Sequence, residues 1–221
     1  MEKRAKPFKQ LTNHILMINL NQFFNTQEKE LTAIYGVPSS GKTSLCLEIA
    51  IKHAKEGKKV IFIDTEKGFS IERFKQLAGE NYKQYLEKII IFTPNSFKDQ
   101  HTKIQNLAEL VEKGNISLII VDTIGYYYRR FMKNRPELGN RMLMNQLNHL
   151  QQISRTIPVL VSNQVYSSFD EKKIKMVGGE ILVNRSQRII ELEKEPQRKI
   201  ILRKPEEKES LFTITDRGFL F

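Results

Sequence analysis

The stretch GVPSSGKT, residues 36–43, limits what this chain can fold into more than any other feature. It has the spacing G-x-x-x-x-G-K-[ST], follows the apolar run LTAIYG, and opens onto the helix-forming segment SLCLEIAIKHAK. The two glycines let the backbone wrap so that successive N–H groups point inward, and a helix starting near Lys42 adds its positive end. A strand, a loop and a helix must therefore follow one another, and the loop's interior suits phosphate. The expected nucleotide contacts are Gly36, Val37, Pro38, Ser39, Ser40, Gly41, Lys42, Thr43 and Ser44. Lys42 supplies a point charge for the β- and γ-phosphates and the Thr43 hydroxyl a ligand for Mg²⁺, so ATP with Mg²⁺ is the expected cofactor pair.

The rest of the pattern fits such a unit. Strand-length apolar runs at 31–36, 59–64, 88–92, 117–122 and 158–163 alternate with helical segments near 43–56, 70–79, 97–113 and 137–155. Near-continuous Ile/Val runs predict strands buried on both faces of a parallel sheet joined by right-handed crossovers. After residue 178 the segments SQRIIELEK, RKIILRK and SLFTITD alternate between short turns, which predicts an antiparallel meander closing one edge. The expected fold class is α/β, with a mainly parallel central sheet and a C-terminal β-meander. Residues 1–29 read as a short lead-in and 30–221 as one core domain. Cys46 is the only cysteine, so an intrachain disulfide or a cysteine-based zinc site is excluded, and its place in the helix predicts core packing. No long apolar span or signal-peptide pattern occurs, which predicts a cytoplasmic protein without a membrane partner.

Further residues complete a candidate site. SLIIVDTIG ends an apolar strand in Asp122, placed as a Walker B aspartate and second handle on Mg²⁺. Glu66 follows the strand after the loop's helix, within reach of a γ-phosphate at the sheet's ligand face. Asn163 and Gln164 end another strand, where an uncharged amide can donate to a γ-phosphate and report its loss.

The stretches GVPSSGKTSLC, FIDTEKGFSIERF, LIIVDTIG, VLVSNQVYSSFD and GGEILVNRSQRIIELEK together resemble the RecA superfamily. Within it they are similar to the archaeal and eukaryotic recombinase branch, and most to the short archaeal paralogs of the RadB type. The resemblance implies a RecA-like ATPase core in which Glu66 positions water, Asp122 is the Walker B residue and Gln164 senses the γ-phosphate. It also implies two DNA-binding loops. The first carries Tyr126, Tyr127 and Tyr128 with Arg129, Arg130, Lys133, Arg135 and Arg141; the second carries Lys172, Lys173 and Lys175. Cations can neutralise phosphates and aromatics can stack on unpaired bases, while a tyrosine so close to a buried strand can equally pack in the core. Lysine and arginine number 36 against 25 acidic residues, a net charge of +11, which suits a polyanionic partner or a highly charged solvated surface.

Two departures matter. The Gly-rich turn usual before the loop strand is absent, and no Phe-x-x-Ala occurs; the nearest match ahead of the core is FKQL at Phe8. Recombinase-type polymerisation is therefore not implied. The expected function is an ATP- and DNA-binding accessory in recombination and repair, with weak hydrolysis, single-stranded DNA as ligand and a main RadA-type recombinase as partner. The alternatives are a DNA-dependent ATPase that itself pairs strands and, more distantly, a KaiC-like ATPase without a DNA role.

Overall fold

The computed structural model describes residues 22–24, 28–168 and 171–221, with backbone alone over 166–168 and 171–175. Five parallel strands carry the core: β1 (Leu31–Gly36), β2 (Lys59–Asp64), β3 (Ile89–Phe92), β4 (Ile116–Asp122) and β5 (Val159–Ser168). β6 (Glu171–Met176) folds back antiparallel on β5. β7 (Arg188–Glu193) runs parallel to β1, and β8 (Lys199–Lys204) and β9 (Lys208–Leu211) add antiparallel strands at that edge. The order is β3-β2-β4-β5-β1-β7-β8-β9, with β6 attached to β5. A separate hairpin, β10 (Thr213–Thr215) with β11 (Gly218–Leu220), ends the chain. The mainly parallel sheet with its antiparallel edge is the fold class read from the sequence.

Helices cover both faces because the central strands are apolar on both sides. α1 (Lys42–Lys55), α2 (Ile71–Ala78) and α3 (Tyr82–Leu86) cover one face, where Leu45, Ile49, Phe62, Phe74 and Leu118 share a core. α4 (Phe97–Gln105), α5 (Leu107–Gly114), α6 (Tyr126–Phe131), α7 (Pro136–Ile153) and α8 (Gly179–Arg185) lie on the other, around Ile61, Ile119, Leu147 and Val161. Phe23 and Phe24 are buried in the first core, and Phe23 stacks on Phe221 at 6.0 Å. Cys46 is fully buried there, and burial pushes its thiol well above its usual range.

Three readings need correction. The segment 97–113 is two helices, broken at Asn106. SLFTITD divides between β9 and β10 because Phe212 turns inward, 4% exposed, under the terminal hairpin. The first basic segment is not a loop: it forms α6 and runs into α7, which Pro136 starts from its first turn. No helix among the described residues is long and apolar enough to cross a membrane.

Candidate nucleotide site and nucleic-acid face

The carboxyl ends of β1, β2, β4 and β5 lie in a row, the usual ligand edge of an open parallel sheet. In register, Gly36 faces Gln164, and Asp64 faces Asp122. The sheet thus brings together the four sequence-predicted groups: the phosphate loop, Asp122, Glu66 and Gln164.

The loop is tight where glycines stand. A Cβ on Gly36 would overlap the Leu192 carbonyl and lie 2.7 Å from Ser40 Oγ. Gly41 has φ 111°, and a Cβ there would come within 2.6 Å of Ile214 on the terminal hairpin. Lys42, buried at the start of α1, donates to the Gly36 carbonyl at 2.8 Å and the Val37 carbonyl at 3.0 Å. Burial lowers its pKa, while Asp122 and Glu66 pull the other way. The Lys42 ammonium therefore rests on the loop's own carbonyls.

Asp122 is 5% exposed and accepts hydrogen bonds from the Ser162 and Thr43 hydroxyls. Burial raises its pKa against those bonds, with Glu66 and Asp64 adding to the rise. Glu66 is exposed; its Oε1 accepts from Gln164 Nε2 at 2.8 Å and from the Thr123 hydroxyl. The Asp122–Thr123 peptide is cis, and Thr123 N–H donates to Thr65 Oγ1 at 2.8 Å. Asp64 accepts from the Gly68 and Phe69 amides, both at 2.9 Å, which fixes the turn that carries Glu66. Asn163 is not a phosphate donor: its Nδ2 donates to the Val177 carbonyl at 2.7 Å and its Oδ1 accepts from the Gln164 amide.

The residues present fit Mg-ATP. Ser40 Oγ is buried with no hydrogen-bond partner among the described residues, and a cleft of about 210 Å³ opens over Ser39, Gly41, Lys42, Thr43, Ser44 and Ile214. Thr43 and Asp122 offer the hard oxygen donors that Mg²⁺ takes. Ser162, Thr65 and Thr123 also belong to this cluster, and no motif singles them out. The signal for Ser162 was a small polar residue inside an apolar strand, and it marks the position beside Asp122.

The candidate nucleic-acid face divides cleanly. Tyr128 is buried, packs 5.9 Å from Phe97 and donates to Asn140 Oδ1 at 2.6 Å. Tyr127 donates to the Pro94 carbonyl at 2.7 Å and meets Tyr126 edge-on. These two phenols are structural, as aromatics beside a buried strand tend to be. Arg129, Arg130, Lys133, Arg135 and Arg141 are all exposed, and none forms an ion pair among the described residues. The Lys172, Lys173 and Lys175 side chains lie outside the described residues, although their backbone forms β6.

A model of the Rad51 family matches residues 20–220. The chain belongs to that family. Within it, the chain is 42% identical over 168 residues to the DNA repair and recombination protein RadB of Methanococcoides burtonii, covering 74% of each. It is 36% identical over 204 residues to the protein of the same name from Methanobrevibacter smithii, covering 86% of this chain and 87% of that one. A crystal structure of the RadB recombinase superposes with a TM-score of 0.76 at 36% identity, over 90% of this chain and 94% of that one. The RecA-like core expected from the sequence is therefore the fold of this family.

Proposed function

We propose that this chain is an ATP- and DNA-binding accessory in homologous recombination and DNA repair, with slow Mg-dependent ATP hydrolysis. On this reading residues 30–221 form the ATPase core and 1–29 a lead-in, the protein works in the cytoplasm, and its partners are single-stranded DNA and a main RadA-type recombinase. The observation that carries its nucleotide half is the hydrogen-bonded cluster of Gln164, Glu66 and Thr123 beside the phosphate loop and Asp122, and its accessory half is supported by the lack of Phe-x-x-Ala in the sequence.

Bound Mg-ATP supplies the γ-phosphate that water attacks. Lys42, which donates to the Gly36 and Val37 carbonyls, would turn these hydrogen bonds to phosphate oxygens, a stronger charge-assisted pairing. Thr43 and Asp122 would hold the cation. Glu66 Oε1 already takes two hydrogen bonds, so Oε2 is the oxygen that orients water and accepts its proton. Gln164 heads the β5–β6 hairpin, so a change in its partner is felt where the second set of lysines begins. The exposed cations of α6 and α7 meet the DNA backbone.

The accessory reading separates from a strand-pairing ATPase by turnover. ATP hydrolysis measured with and without single-stranded DNA should be slow and change little. Strong stimulation by DNA would favour the strand-pairing enzyme instead.

A further inference from the structure

Arg198 lies in the turn between β7 and β8, some way along the chain from the phosphate loop. Its Nη1 nonetheless donates to the Ser39 carbonyl at 3.0 Å and the Ser40 carbonyl at 3.2 Å. It forms no ion pair among the described residues, so the loop carbonyls are its partners. Ser39 has φ 63°, a left-handed conformation that strains any residue with a side chain, and within the loop it is the one non-glycine residue so placed. Such a residue persists only where its surroundings hold it. The two carbonyls also belong to the peptide units that carry the Ser40 and Gly41 N–H groups. A cation on a carbonyl oxygen polarises the N–H at the other end of the same peptide and makes it a better donor.

We infer that Arg198 is a positioning residue for the phosphate loop. It holds Ser39 in its left-handed turn, strengthening the bond that the Ser40 N–H makes to the Val37 carbonyl at 3.2 Å, and it makes the Gly41 amide a better donor to phosphate, without itself touching the nucleotide. The inference rests on the reading of the loop as a nucleotide site. It also assigns a role to a residue that no local motif singles out, because its partners are 159 and 158 positions away.

Four variants test it: Arg198→Met, Arg198→Lys, Ser39→Gly, and Arg198→Met combined with Ser39→Gly. The first readout is the amide resonances of Ser40 and Gly41 in nucleotide-free protein, which should shift in Arg198→Met. The second is equilibrium binding of a fluorescent ATP analogue with Mg²⁺. Arg198→Met should bind roughly tenfold more weakly, the scale of one strained residue set loose. Adding Ser39→Gly should recover most of that loss, because glycine adopts the left-handed turn without a side-chain penalty. Arg198→Lys should fall between, and gives the answer if the methionine variant does not fold. Unchanged amides and affinity in Arg198→Met would overturn the inference. So would a loss of affinity that Ser39→Gly leaves unrepaired, since that points to direct contact with the nucleotide. Wild-type protein that fails to bind, or Lys42→Ala that binds equally well, would instead overturn the nucleotide reading.

Discussion

The phosphate-loop edge and the α6–α7 corner use their polar groups in opposite ways. At the first, polar side chains answer one another: Lys42 lies on its own loop, Asp122 takes the Ser162 and Thr43 hydroxyls, and Glu66 takes Gln164 and Thr123. At the second, five cations stand in solvent with no acid paired to them among the described residues, next in the chain to Tyr127 and Tyr128, whose hydroxyls are already satisfied. Buried groups must find partners inside the protein or lose the solvation they gave up, whereas exposed charges owe nothing to the fold. The first region is preorganised by its own hydrogen bonds; the second, on the proposed reading, leaves its cations for an outside anion.

That contrast makes the first region sensitive to single atoms. The largest effect should come from Glu66→Gln, which keeps the shape and removes the charge that orients water. Residual turnover should fall about a hundredfold while ATP binding stays close to wild type, as expected when a general base is removed. Equal turnover in the two proteins would remove Glu66 from the chemistry. Lys42→Ala should come next. Losing a buried, charge-assisted donor should weaken Mg-ATP binding by about ten- to a hundredfold, read with a fluorescent analogue. Unchanged affinity would mean that the loop's closed geometry serves something other than phosphate.

Legibility in the sequence follows the same divide. The loop, Asp122 and Glu66 could be read because strand ends carry them, and a strand such as SLIIVD leaves its end unambiguous; Gln164 does not end its strand as expected, since β5 runs on to Ser168 to pair with β6, but the parallel pairing of β5 with β1 ends at it. YYYRRF reads as a loop because the resemblance implies one there and the segment shows no apolar stripe of its own; in the fold Tyr128 and Phe131 both pack on Phe97 of α4. The break at Asn106 gives no sign in the sequence, because no glycine or proline lies between 97 and 113 to mark it. Gln100 and Gln146 gave no signal either. They are fully buried and joined at 2.8 Å, with Gln100 also donating to the Ile124 carbonyl just past Asp122. Nothing near either glutamine in sequence predicts a partner 46 residues away.

The smallest expected effect bears most directly on the central claim, that one edge of this sheet holds nucleotide while the neighbouring corner keeps its cations for DNA. Single-stranded DNA affinity should be measured against salt concentration for wild type and for Arg129→Ala combined with Arg130→Ala, alongside the melting temperature of each. The account predicts that the log–log slope flattens by roughly 0.7 for each phosphate the variant no longer neutralises, because each cation releases counterions from the strand. The melting temperature should hardly move, since neither arginine pairs with an acid among the described residues. A double variant that melts lower, yet matches wild type in DNA affinity and salt slope, would contradict it and make these arginines part of the fold.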